Sequence, residues 1–344
     1  MTLQPSHNLM NVENHILEMQ NLHPGASGDL TSLLGDISFA AKIIAREVSH
    51  AGLVDILGAT GDENVQGEQV QKLDEYANAT MLRCLGRKGQ VCLLGSEELE
   101  DVLEVDFGSG SGKYLVVFDP LDGSSNIDAN VSIGTIFAIY ARVSPHGPGQ
   151  LRDVLQSGSK IVAAGYVVYG SSTMFVYTAG HGVHGFTLDP GIGEFLLSHQ
   201  NIKIPFEAGI YSVNEGNEPR WTQQMKEIVR KLKYGCDGTA GKGCTARYIG
   251  SLVSDFHRNL LYGGVFLYPA TEDVPNGKLR LVYEAAPLAM IAEHAGGYAS
   301  DGNGPILDRI PDSIHERVPL FIGSRGTVLW IEKKMADPEF GAGL

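Results

Sequence analysis

The chain has 344 residues, enough for two domains or one large one, and its 43% hydrophobic and 19% charged content describes a globular protein rather than a disordered one. A formal net charge of −14 argues against nucleic acid or an anionic membrane as partner, so an anionic small molecule would need local rescue by a metal or by clustered Lys and Arg. The four cysteines, Cys84, Cys92, Cys236 and Cys244, form no CxxC pair and read as reduced, small core residues of a cytosolic protein.

The first residues, MTLQPSHNLM, lack a cationic start followed by an apolar run, so no secretory signal is expected. Val12, Ile16, Leu17 and Met19 suggest a short helix. The glycine-containing stretch Gly25 to Thr31 breaks it. A strongly amphipathic helix from about Leu30 to Ala51 follows, with Leu33, Leu34, Ile37, Ala40, Ala41, Ile44 and Val48 on one face. A glycine loop entering a helix makes either an anion site or an ordinary cap. Residues 53–67 read as a mobile loop, and a second helix as roughly Glu68 to Arg87. Its acids Glu68 and Asp74 do not share one helical face. Val91-Cys92-Leu93-Leu94 is a short apolar strand ending on Gly95-Ser96-Glu97-Glu98. Adjacent glutamates there suit a solvated helix start or a site. Gly108 to Lys113 has some features of a phosphate loop but lacks the required glycine and hydroxyl.

The stretch with most chemistry is Asp119-Pro120-Leu121-Asp122-Gly123-Ser124-Ser125-Asn126. Lys113 to Phe118 reads as a buried strand that should stop at Pro120, whose ring fixes φ and removes a donor. Asp119 and Asp122 would then lie side by side at the strand end. Carboxylates so close repel unless a cation sits between them, and hard oxygen ligands suit Mg²⁺ or Mn²⁺. Gly123, Ser124 and Ser125 offer N–H groups and hydroxyls to an anion. Cation ligands on one side and anion donors on the other describe a phosphate-ester site.

Sheet-like segments follow at Ile133–Ala141, Ile161–Tyr169, Thr173–Thr178 and Val183–Leu188, with Ser144–Lys160 as a cysteine-free loop. The longest apolar stretch, near Val131–Ala141, is too short to span a bilayer. His181 and His184 read as surface histidines. A domain boundary is expected near residue 204, giving domains 1–204 and 205–344. Beyond it, helices are expected at about Trp221–Lys233 and Thr245–Tyr262. Val265 to Tyr268 and Gly277 to Tyr283 read as strands, the latter delivering Glu284 to a helix start. A strand at Val318–Ile322 and a helix near Thr327–Met335 close the chain. Glu97 and Glu98, Asp119 and Asp122, and Glu284 each follow an apolar strand, and open α/β sheets bind ligands beyond the carboxyl ends of their strands.

The run from Asp119 to Asp128, followed by Val131-Ser132-Ile133-Gly134-Thr135, resembles the inositol monophosphatase and sugar-phosphatase superfamily, and in this longer form the class I fructose-1,6-bisphosphatases. Ser96-Glu97-Glu98, Asp189 to Phe195 and Asp312 to Arg317 extend the resemblance along the chain. It implies a layered α/β sandwich with two mixed-sheet domains, an N-terminal regulatory one and a C-terminal substrate one. It implies Mg²⁺-dependent hydrolysis of the 1-phosphate of fructose 1,6-bisphosphate in gluconeogenesis or the Calvin cycle, in a cytoplasmic homotetramer. Sedoheptulose-1,7-bisphosphate cleavage and a catalytically lapsed AMP- or metal-binding regulator are the alternatives.

By the same resemblance, Glu97, Asp119, Asp122, Glu284 and the carbonyl of Leu121 hold two or three Mg²⁺, with Mn²⁺ as a substitute. Glu98, helped by Asp74, takes the proton from the attacking water. Glu68 sits in a loop that closes over the site. Asp122, Gly123, Ser124 and Ser125 face the reacting phosphate. Asn214, Tyr248, Tyr268 and Lys278, with Arg280 nearby, match residues for the sugar and 6-phosphate. Arg247 matches an arginine donated across a subunit boundary. Ser27, Gly28, Asp29, Leu30 and Thr31, with Lys113 and Tyr114, match a loop that holds the phosphate of inhibitory AMP. Three positions depart from the pattern, the first being Glu68, which replaces an aspartate commoner among relatives. Ala141 stands where relatives carry an arginine, with Arg142 one residue later. Asn217 replaces a phosphate-binding tyrosine.

Overall fold

The structure is a computed structural model that describes residues 10–20, 28–51, 59–63, 69–105, 112–145, 147–239 and 241–341. Ser27, Glu68 and the glycine-rich run at 108–111 lie outside them. Val116 and Val117 are neighbours in one strand and both are fully buried. Successive strand residues point to opposite faces, so this sheet is covered on both sides. It is an eight-stranded sheet in the spatial order Glu194–His199, His184–Asp189, Thr173–Thr178, Ile161–Tyr169, Ile133–Ala141, Tyr114–Asp122, Val91–Ser96, Leu103–Glu104. One face packs Val116, Phe118, Phe137 and Val167 against Leu33, Ile37, Leu73 and Met81 of helices Asp29–His50 and Lys72–Leu85. The other packs Leu115, Val117, Ile136 and Tyr166 against helices Leu252–Tyr262 and Ala286–His294.

Those two helices also meet the five-stranded sheet through Phe266, Leu320 and Ile322. Helices Gln223–Tyr234 and Arg325–Met335 close its far side over Val265, Leu267 and Phe321. The sequence of layers is helix, sheet, helix, sheet, helix. It is the layered α/β sandwich expected from the resemblance. No helix among the described residues is long and apolar enough to cross a membrane.

Several local expectations change. The strand carrying the aspartates does not stop at Pro120. It runs Tyr114–Asp122, with a register shift between Asp119 and Asp122. Pro120 sits in that bulge, where a missing N–H costs no ladder bond. The Pro120 carbonyl is held by the Thr135 hydroxyl at 2.8 Å. Helix formation after Thr245 is delayed to Leu252, because Gly250 adopts φ 92° and Ser251 caps the helix by accepting from the Ser254 N–H. The strand expected over 277–283 shrinks to Leu279–Arg280. Glu284 lies within a π-helical turn, Leu281–Ala285, that runs into the next helix. Residues 53–67, read as a loop, include strand Ala59–Glu63, which pairs antiparallel with Gln69–Gln71. The Ser144–Lys160 loop contains a helical turn at Leu151–Val154. His184 is buried, its ring 4.3 Å from that of His15, because the helix Val12–Gln20 covers it; His181 is exposed as expected.

Candidate active site

Parallel pairing builds the site's first wall. Val91–Ser96 and Tyr114–Asp122 run in the same direction with Ser96 opposite Phe118. Their carboxyl ends therefore emerge at one edge, and Glu97 is tied back to the sheet by its N–H on the Phe118 carbonyl at 3.2 Å. The bulge then turns Asp119 and Asp122 toward the same edge. Asp119 accepts the Leu121 N–H at 2.9 Å. Gly123 follows at φ 79°, a left-handed conformation that favours glycine, and a Cβ there would lie 3.0 Å from the Ser251 Cβ.

The second wall comes from the helix Leu252–Tyr262. Its Val253 N–H, at 2.9 Å, and the Ser251 hydroxyl, at 3.0 Å, both donate to one oxygen of Asp122. Neither was anticipated from sequence, although a serine three residues ahead of Ser254 is an N-cap signal. The third wall is the π-helical turn, where the Glu284 carboxylate accepts the Arg280 N–H.

One oxygen each from Asp119, Asp122 and Glu284 lie within 4.8 Å of one another, and all three side chains are buried. Burial, then Glu97, Glu284 and Asp122, push Asp119 well above the usual carboxylate range. Burial lifts Asp122 to about 6 against the opposing pull of its Val253 and Ser251 donors. Burial and Glu97 lift Glu284 to about 8, against the Arg280 guanidinium. Three buried acids with raised pKa values form a group that a cation would stabilise in the charged form. Hard oxygen donors at this spacing fit a Mg²⁺- or Mn²⁺-type ion. Glu97 is not in that trio. Its carboxylate pairs with the buried Arg280 guanidinium at 3.0 Å.

These residues line a cleft of about 630 Å³ together with Asp74, Glu98, Leu121, Gly123, Ser124, Ser125, Tyr248, Tyr268, Lys278 and Arg280. Gln71, Gly250, Leu252, Phe266 and Leu279 also line it, without a signal for this in the sequence. Asp74 is buried and accepts the Gln71 N–H at 3.0 Å, so it also caps its own helix. Asn214 and Arg247 do not line the cleft. Asn214 caps the turn Glu215–Arg220 by accepting the Gly216 N–H at 3.0 Å, and Arg247 is exposed.

The glycine loop lies at a separate cavity of about 380 Å³. Gly28, Leu30, Thr31 and Tyr114 line it with Ile16, Gln20, Val162, Tyr177, Ala179 and His184. Asp29 and Lys113 instead form an ion pair at 2.5 Å. Arg142 turns away, donating to the carbonyls of Pro145, Gly147 and Pro148 at 2.6–2.9 Å.

Comparison with known proteins agrees along most of the chain. The family model Fructose-1-6-bisphosphatase, N-terminal domain, matches residues 10–200, and Fructose-1-6-bisphosphatase, C-terminal domain, matches 204–336. The class 1 fructose-1,6-bisphosphatase of Maridesulfovibrio salexigens is 57% identical over 321 residues, 92% of this chain and 95% of that protein. That of Chloroherpeton thalassium is 55% identical, covering 98% of this chain and 94% of its own. The crystal structure of Leishmania major fructose-1,6-bisphosphatase in holo form has a TM-score of 0.89 at 42% identity, over 95% of this chain and 99% of that one. With its acids converging on one cleft and near-complete alignment to these relatives, the chain belongs to the class 1 fructose-1,6-bisphosphatase family.

Proposed function

We propose that this chain is a phosphoric monoester hydrolase that cleaves the 1-phosphate of D-fructose 1,6-bisphosphate, releasing fructose 6-phosphate and phosphate. The observation that carries the reading is the buried trio Asp119, Asp122 and Glu284 in one cleft with Glu98 and the serines after Gly123. Asp119, Asp122, Glu284, the Leu121 carbonyl and Glu97 hold two or three Mg²⁺ per subunit, or Mn²⁺ in its place. Bound there, the cations would neutralise the phosphate and the leaving alkoxide and acidify a water. Glu98, with Asp74 beside it in the cleft lining, accepts the proton of the attacking water. Glu68, outside the described residues, would approach a bound cation. Gly123, Ser124 and Ser125 orient the reacting phosphate. Tyr248, Tyr268, Lys278 and Asn214 receive the sugar and its second phosphate by charge and hydrogen bonding. Arg280 holds Glu97. Attack is in line on phosphorus, without a phospho-enzyme.

The apolar cavity beside Gly28, Leu30 and Thr31 supports an AMP-type effector, with its phosphate toward the start of the helix Asp29–His50. Ser27, Asp29, Lys113 and Tyr114 complete that set. Residues 1–204 would form the regulatory domain, and 205–344 the substrate domain. Arg247 would serve a neighbouring subunit in a cytoplasmic homotetramer. The test is phosphate release from fructose 1,6-bisphosphate with and without Mg²⁺, then with AMP. Sedoheptulose 1,7-bisphosphate run alongside sets the sugar preference. Equal release with and without Mg²⁺ would remove the metal reading, and no release at all would remove the activity.

A further inference from the structure

The segment Asp312–Arg317 has no role in the chemistry above, yet it lies against both halves of the acidic cluster. The Ile314 side chain packs on Gly95, so closely that a Cβ there would lie 2.8 Å from it. His315 reaches the loop after Glu98, its Nε2 lying 2.9 Å from the Leu99 carbonyl and 3.2 Å from that of Glu100. Its Nδ1 lies 2.8 Å from the hydroxyl of Tyr283, the residue before Glu284. The Glu316 backbone carbonyl accepts the Leu281 N–H at 2.7 Å, and Arg317 pairs with Arg280 across a short antiparallel ladder. Facing two carbonyls, Nε2 must carry the imidazole proton. Nδ1 is then the acceptor, and the fully buried Tyr283 hydroxyl donates to it.

We infer that His315 is a positioning residue for the cation site, a bridge that fixes the loop bearing Glu97 and Glu98 against the π-helical turn bearing Glu284. This rests on the reading of those acids as cation ligands. The need for such a bridge is geometric. Glu97 and Glu98 leave the eight-stranded sheet, whereas Glu284 follows a two-residue strand paired with a different partner. Mg²⁺ tolerates little departure from octahedral geometry. A drift of one wall against the other would spoil it without moving any ligand's own backbone bonds. The imidazole spans the gap with a donor on one side and an acceptor on the other. Lysine or arginine would offer no acceptor to the tyrosine.

The test uses the whole chain with Tyr283→Phe, His315→Gln and His315→Ala. Mn²⁺ alone is titrated into the metal-free protein by calorimetry, and Mg²⁺ activation and sugar bisphosphate KM are measured separately. Tyr283→Phe and His315→Ala should weaken Mn²⁺ binding and raise the half-activating Mg²⁺ concentration by about 10- to 100-fold, the usual cost of losing a ligand's supporting contact. KM at saturating cation should change less than about twofold, since neither residue touches the sugar site. His315→Gln keeps an amide donor for the Leu99 carbonyl and should recover part of the loss. If His315→Ala does not fold, Tyr283→Phe decides alone, because it removes one hydroxyl and leaves the ring. Wild-type cation affinity in the variants overturns the inference. A wild-type chain that neither binds Mn²⁺ nor responds to Mg²⁺ overturns the metal reading, and this inference with it.

Discussion

Asp122 must stay buried, close to two other acids, and still present an oxygen to the cleft. Its two donors, the Ser251 hydroxyl and the Val253 N–H, occupy one oxygen and leave the other for the site. Those donors limit its pKa to about 6, whereas Glu284, facing Glu97, rises to about 8. Protons and cations therefore compete for the same oxygens. Because the folded pKa values are raised, the acids hold protons at low pH and release them as pH climbs through 6 to 8. Mn²⁺ affinity of the metal-free chain should accordingly rise across that window, with proton release on binding, read by calorimetry in buffers of different ionisation heat. Constant affinity across the window would contradict the raised values. Glu98 answers to a different test. Glu98→Gln should keep sugar bisphosphate binding and lower turnover about 10²–10⁴-fold if Glu98 is the base. Unchanged turnover would refute that role.

At the scale of elements, the start of the helix Leu252–Tyr262 is both a cap and a wall of the site. Ser251→Ala removes the cap for Ser254 and one of the two side-chain and backbone donors to Asp122. It should cost about 1–2 kcal/mol in denaturant unfolding and weaken cation binding together. Loss of stability with cation binding intact would show that the Val253 N–H suffices. The bulge at Pro120 shows a related economy of parts. A proline in a central strand normally argues against the strand. Here the bulge removes the need for its N–H, and Thr135 takes up its carbonyl. The result is a strand that carries Asp119 and Asp122 into the cleft from successive register positions.

Across the molecule, the helices Leu252–Tyr262 and Ala286–His294 serve two sheets at once, and the cleft opens where those layers meet. Two histidines, His15 buried and His257 half-buried, link this packing to pH. His15 is pushed down to about 4 by burial and by His184, and its Nδ1 contacts the Tyr177 hydroxyl at 2.7 Å. His257 is likewise lowered to about 4 by burial and by His199, beside the Tyr166 hydroxyl at 2.7 Å. A depressed histidine pKa means the unfolded chain binds more protons between pH 6.5 and 4. Stability is therefore full above about 6.5 and falls as pH drops toward 4. Urea unfolding at pH 7, 5.5 and 4.5 measures it, and His257→Phe should flatten the trend. No fall over that range would mean the two rings are not held neutral.

What the amino-acid order determined alone was the identity of the reacting groups and the strands that present them. Asp119 to Ser125 and Ser96 to Glu98 carry their chemistry in residue type and spacing, and hydrophobic alternation reveals the strands beneath them because burial on a pleated sheet has period two. Only the tertiary structure decided which groups meet. Glu284 joins Asp119 and Asp122 through a π-helical turn that no periodicity encodes, and Glu97, beside the trio, is held by the Arg280 guanidinium. Ser251, Val253 and His315 act through hydrogen bonds to residues far away in the chain, and such contacts have no local signature. The surface reading of His184 failed for the same reason, since the helix that covers it lies some 170 positions earlier. Local physics writes itself into neighbouring residues, whereas a site assembled from several walls exists only once the layers have packed.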